Sequence, residues 1–183
     1  MKDIVQAFNG TLKWSLLVAI ILVVMSCGWR LRGSVELPSQ MKKINLIQLA
    51  EAREFYKRLK RTLQYGGAEV VETKVGADIS LTITQVESES KSAAVDSVGR
   101  TVAKEISMTL IFNLQDNQGI SLAEQDEVRT SRIFRYNPDN VLGMEREESR
   151  VVSGLTDEMV AALISRIKNI ITRQDLQGQP SAD

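Results

Sequence analysis

Chemistry has few places to start in this chain of 183 residues. It holds one cysteine, Cys27, and no histidine. A single thiol forms no intramolecular disulfide and no CxxC redox or zinc motif. Without imidazole there is no Ser-His or Cys-His nucleophile, no His-containing metal site and no imidazole acid–base step. Carboxylates remain, but no Asp/Glu pair stands apart from an ordinary charged surface. The chain therefore reads as a protein without an enzymatic activity, resident cofactor or metal. Its 23 basic and 23 acidic residues balance, so it lacks the basic field that general nucleic-acid binding needs. An anionic ligand must be met by a local patch instead.

The position of Cys27 gives the thiol a use. Lys2 and Lys13 mark a polar leader, and Trp14–Met25 is an almost unbroken apolar run. The uncharged stretch from Trp14 to Trp29 is only 16 residues, short of the roughly 20 that cross a bilayer as a helix. A short apolar core behind a positive leader is the pattern of a signal peptide. Val24-Met25-Ser26-Cys27 resembles a lipobox, in which the cysteine sulfur is acylated before cleavage. Met25 stands where Ser, Thr, Val or a small residue is usual. The expected product carries a diacylglycerol and an N-acyl chain on Cys27, and two or more chains make anchoring stable where one does not. Gly28 follows in place of the Asp that holds many lipoproteins in the inner membrane, which permits export to the outer one. The alternative is an uncleaved anchor.

The segments that must carry any site come next. Residues 1–26 are expected to be the signal peptide, 27–40 the lipidated terminus with an extended lead, 41–175 the folded domain and 176–183 a polar tail. Ile44–Leu49 is a mostly apolar strand. Ala52, Phe55, Tyr56, Leu59 and Leu63 then recur at helical spacing, with Gly66-Gly67 as the stop. From Asp78 the period drops to two through Ile79, Leu81 and Ile83, and Val86 breaks the phase, which predicts a bulge. A polar connection containing Gly99 leads to the clearest strand, with Ile106, Met108, Leu110, Phe112 and Leu114 on one face. Asp116–Gly119 reads as a turn. A strand over Glu127–Tyr136 ends at Asn137-Pro138-Asp139. The last element is a helix over Glu147–Arg173, striped by Val152, Leu155, Met159, Leu163, Ile167 and Ile170. This order, β-α-β-β-β-α, predicts an α+β two-layer sandwich: two helices on one face of a four-stranded, mostly antiparallel sheet.

Cys27-Gly28-Trp29-Arg30-Leu31-Arg32-Gly33, followed by Leu37-Pro38-Ser39, resembles the mature start of the LPS-assembly lipoprotein family LptE (RlpB). The helix ending near Gly66, the strand at Ile106–Leu114, the Phe134–Pro138 stretch and the final helix occur in that family's order. The resemblance implies a lipid-anchored protein on the periplasmic side of the outer membrane of a Gram-negative cell. It would plug the LptD β-barrel, assist the barrel's assembly, bind lipopolysaccharide and help deliver it to the cell surface. The family also places basic side chains after its second strand and just after the Asn-Pro element. Here those places hold Ser97 and Met144. Arg100 and Arg146 lie nearby and become the candidate ligand-binding residues, with ordinary exposed arginines as the alternative.

Three further readings stand beside this one. A lipid-anchored module of another envelope transport or secretion complex would share the lipobox and a small α+β domain. A periplasmic enzyme would need paired, strongly perturbed carboxylates in a pocket. Trp29 and Leu31 fit either an interfacial contact beside the anchor or packing on the domain's own sheet edge.

Overall fold

The computed structural model describes residues 37–38, 41–47 and 52–177, with side chains to residue 174. Cys27, Trp29 and Leu31, and the expected boundary at residue 26, lie outside these residues. The elements run β1 (Lys43–Ile47), α1 (Arg53–Tyr65), β2 (Glu69–Val71), β3 (Ile79–Val95), β4 (Thr101–Asp116), β5 (Ser121–Arg135) and α2 (Val141–Gln177). The sheet order is β2-β1-β3-β4-β5. β1 pairs in parallel with both β2 and β3, and the β3–β4 and β4–β5 ladders are antiparallel.

Among the described residues the α+β class with two helices holds, but the sheet has five strands, not four, and it is mixed. The added strand, β2, has three residues, too short to show a period of two. It lies at an edge beside β1, where Lys43 pairs with Glu69 and Asn45 with Val71. The polar connection expected after Val86 is also corrected. It is strand as far as Val95, paired in continuous register with β4 from Gln85 to Ser92 and with shifts between Ser92 and Val95, and its side chains from Glu87 onward are exposed. A strand with both faces in solvent has no apolar alternation to display. The phase break at Val86 is a real irregularity, with the register shifting between Ile83 and Gln85.

Alternation decides which face is dry. Ile106, Met108, Leu110, Phe112 and Leu114 of β4 are buried, joined by Ile79, Leu81 and Ile83 before the bulge in β3. The helices complete the same core. α1 contributes Phe55, Leu59 and Leu63, one stripe at i, i+4 spacing, while Arg53, Glu54, Lys57 and Arg61 stay in solvent. Its end is set by Gly67 at φ +89°, with Ala68 N–H bonded to the Leu63 carbonyl. α2 contributes Val151, Leu155, Met159, Val160, Leu163, Ile164, Ile167 and Ile171. The expected stripe is thus centred correctly, although Val152 and Ile170 are only partly buried. Arg58 fastens the helices together, donating to Asp157 Oδ1 at 2.7 Å and Ser153 Oγ at 2.9 Å. Among the described residues no helix is long and apolar enough to cross a membrane.

The strands outrun the first helix. At about 3.4 Å per residue, the three antiparallel strands are roughly 50 Å long, while α1 covers only about 20 Å. α2, with 37 residues, runs the length of the long strands and begins beneath their far end.

Candidate functional site

That far end gathers the β3–β4 turn, the end of β5 and the start of α2. The turn is Asp96-Ser97-Val98-Gly99-Arg100. Asp96 Oδ1 accepts from the backbone N–H groups of Val98 (3.0 Å) and Arg100 (2.9 Å). Gly99 sits at φ +82°, a conformation that strains any residue with a Cβ. The β4–β5 turn repeats the device with Asp116, Gln118, Gly119 and Ile120. The difference is the last residue. Where Ile120 closes the other turn, Arg100 closes this one, and its Nε donates to Asp96 Oδ2 at 2.9 Å. The amide and guanidinium of Arg100 hold the Asp96 carboxyl below the ordinary carboxylate range. Arg100 is therefore anchored at its base while its side chain remains mostly exposed.

The second candidate arrives through the Asn-Pro stretch. Asn137 Oδ1 accepts from Asp139 N–H at 3.0 Å, and Asn140 Oδ1 accepts from Gly143 N–H at 3.2 Å, capping α2. Met144 turns inward to accept the Asn137 N–H at its sulfur (3.2 Å). Arg146 follows on the first turns of α2, exposed, with no salt bridge among the described residues. The two arginines singled out from sequence thus belong to one end of the molecule. Tyr136 N–H bonds to the Val102 carbonyl (2.9 Å) and Lys104 reaches Glu148 (3.3 Å), tying that end together.

Two features escaped the sequence reading. Lys104 sits beneath the sheet, with Nζ 4.4 Å from the Tyr136 ring centre and paired to Glu148. Its signal was available: Lys104 has the same phase as the buried Ile106 and Met108, and a charge on a core face needs partners. The other is apolar. Val95, Val98, Val102, Val141 and Leu142 are all exposed here, Val98 and Leu142 at 73 % each. Each residue alone is unremarkable in a sequence. Only the fold places five of them beside two arginines.

Elsewhere, a cleft of about 480 Å³ opens between α1 and α2 over Val86 and Met108, rimmed by Arg53, Arg58 and Ser149. Among the described residues no group of Asp, Glu and Cys side chains could hold a metal ion. The shifted carboxyls, at Glu54, Asp96 and Asp126, each answer to a neighbouring basic residue or backbone amide rather than to another carboxylate. The arrangement offers cations and apolar side chains to a ligand.

Comparison with solved structures finds the same fold in several lipoproteins. Lipoprotein B from Nitrosomonas europaea is 20 % identical, with a TM-score of 0.64 over 79 % of this chain and 93 % of that one. Rare lipoprotein B from Shewanella oneidensis is 12 % identical, with a TM-score of 0.64 over 73 % of this chain and 98 % of that one. A minor lipoprotein from Acinetobacter baumannii is 18 % identical, with a TM-score of 0.58 over 70 % of this chain and 92 % of that one. At such identities these likenesses establish the fold alone. The family model described as LptE, lipopolysaccharide-assembly, matches residues 42–167, well over half of the chain and nearly all of the folded unit. The chain therefore belongs to the LptE family of lipopolysaccharide-assembly proteins.

Proposed function

We propose that this chain is a lipid-anchored partner of an LptD-like outer-membrane β-barrel, which it plugs, helps to assemble and assists in placing lipopolysaccharide at the cell surface. Acyl chains on Cys27 hold it to the periplasmic leaflet of the outer membrane, and the folded unit enters the barrel. Family membership supports this reading, as does the sheet face that, among the described residues, no helix covers. That face presents Ser107, Thr109 and Ser131 among the ion pairs Lys91–Glu105 and Arg129–Glu127, a polar surface suited to a water-filled lumen.

The observation that carries the ligand assignment is the convergence of Arg100 and Arg146 with five exposed apolar side chains at one end of the sheet. Lipopolysaccharide is an amphiphile whose phosphates lie next to its acyl chains. Guanidinium groups match phosphate oxygens in a bidentate way, and exposed valine and leucine lower the cost of leaving an aggregate for the acyl portion. The protein binds and releases; no bond is made or broken.

The test is binding of purified lipopolysaccharide to the full-length chain in detergent. The doubly substituted R100E/R146E chain, folded as judged by circular dichroism, is expected to bind at least about tenfold more weakly, since two charge-assisted contacts become repulsive. Binding equal to the unsubstituted chain would move the ligand away from this end.

A further inference from the structure

Among the described residues β5 is an outer strand of the sheet, with β4 as its one neighbour. Sheet proteins normally blunt such an edge with charged side chains, above all lysine, with proline, a bulge, inward-pointing charges or a covering element. β5 has a bulge near its start, where Gln125 adopts φ +49° and the register with β4 slips. From Asp126 to Arg135 it has no proline, no lysine and an unbroken ladder to β4. Its protection is charge, with Asp126 and Arg132 turned inward to Arg166 and Glu158 on α2, and Glu127, Arg129 and Arg135 outward with both signs present, so that a second strand can match them. The outer face of this stretch is Glu127, Arg129, Ser131, Ile133 and Arg135, all exposed, with Ile133 at 64 %. Its inner face carries Val128 and Phe134 at the margin of the core.

We propose that β5 pairs antiparallel with β5 of a second copy of this chain about a twofold axis through Ser131. The inference is independent of the barrel reading and describes the chain when no barrel holds it.

The register follows from the residues. Inner residues must stand opposite inner ones, since a slip of one residue would turn the apolar set outward. With Ser131 opposite its own copy, Glu127 stands opposite Arg135 twice, once on each side of the axis. The aliphatic stem of Arg129 lies beside Ile133, and Val128 meets Phe134 across the seam, extending both cores. Centring one residue further along puts Arg129 opposite Arg135 and Arg132 opposite itself. Centring one residue earlier leaves Arg135 facing Gln125 and Val128 facing Arg132. Only the register centred on Ser131 joins opposite charges and apolar pairs with no like charges directly opposite each other; the arginine pairs Arg129–Arg135 and Arg132–Arg132 meet only on the longer diagonals. An interface in which one patch meets itself is the form that twofold dimers take, and main-chain bonds along a free edge supply the affinity.

The test uses the full-length, membrane-extracted chain in mild detergent. In Ser131→Cys the two thiols of a dimer are opposite each other, with Cα atoms about 4.5–5.5 Å apart, within disulfide reach. Mild oxidation is expected to yield a covalent homodimer. Ser107→Cys, on the same face of β4 but inside the sheet, is expected to give none, which controls for chance meeting in a micelle. Arg135→Glu sets like charges opposite each other at both symmetric contacts and is expected to weaken dimerisation about tenfold in sedimentation. E127R/R135E, with the charges exchanged, is expected to restore it. Cross-linking at Ser131→Cys no greater than at Ser107→Cys would overturn the proposal. So would capture of a different chain by Ser131→Cys, or a double variant no better than Arg135→Glu.

Discussion

Beyond its buried apolar stripe, α2 is joined to the sheet by an ion pair whose contribution is measurable. Arg166 on α2 holds Asp126 on β5 through two bonds, Nε to Oδ2 at 2.8 Å and Nη2 to Oδ1 at 3.1 Å. Fork-on-carboxylate pairs are the strong kind, worth about 1.5–3 kcal/mol when sheltered. The Asp126 side chain is 19 % exposed but that of Arg166 is 46 % exposed. Solvent screening lowers the expected coupling to about 1 kcal/mol. Asp126→Asn keeps an oxygen to accept the Glu127 N–H (2.9 Å) and removes only the charge. Arg166→Met keeps the apolar stem. A double-mutant cycle in urea should return that coupling, and Asp126→Asn alone should lower Tm by about 2–4 °C. The pH dependence has a definite sign. Bonding from Arg166 lowers the Asp126 pKa in the folded state. Its contribution is thus complete above the unfolded carboxyl value near 3.9 and is lost as pH falls through the lowered folded value. Asp126→Asn should therefore flatten the acid limb below about pH 4 while shifting the neutral plateau down. A coupling under about 0.3 kcal/mol, or an acid limb unchanged by the substitution, would refute this account of how α2 is held.

Four other substitutions probe different links. Leu110, fully buried at the centre of β4, should cost about 2–5 kcal/mol on truncation to alanine, read from the urea midpoint at constant m. Gly99→Ala meets no atom within 4 Å of the new Cβ, so only the backbone conformation opposes it, by about 1–2 kcal/mol, and Gly119→Ala should match it in thermal melts. Cys27→Ser should abolish acylation and, because acylation precedes cleavage, leave the leader in place, so mass spectrometry should show the whole chain without acyl groups; an unacylated full-length mass for the unsubstituted chain would instead indicate an uncleaved anchor.

Legibility in the sequence tracked burial. The helix of Phe55, Leu59 and Leu63 and the strand of Ile106–Leu114 stood out because each has one dry and one wet side, which imposes a period on the residue types. The bulge near Val86 was legible as a break in that period. Glu87–Val95 carries no such mark, because neither face is buried, and its pairing is dictated by β4 across the ladder. β2 is legible only as the neighbour of β1. The start of α2 at Val141, six residues before the expected Glu147, depends on the Asn140 cap, whose donor at Gly143 is three residues along. For the candidate site, the sequence named Arg100 and Arg146 through a resemblance. The turn geometry that anchors Arg100, the apolar residues around it and the partners of Lys104 are products of the fold.

The central claim, that this LptE-family chain works as the partner of an outer-membrane barrel, is tested most directly by co-purification. A C-terminally tagged chain would be extracted from membranes in mild detergent and the recovered proteins quantified. The account predicts a large β-barrel in one-to-one proportion with the tagged chain. Recovery of the acylated, folded chain without any barrel would contradict it and favour a module of another envelope complex.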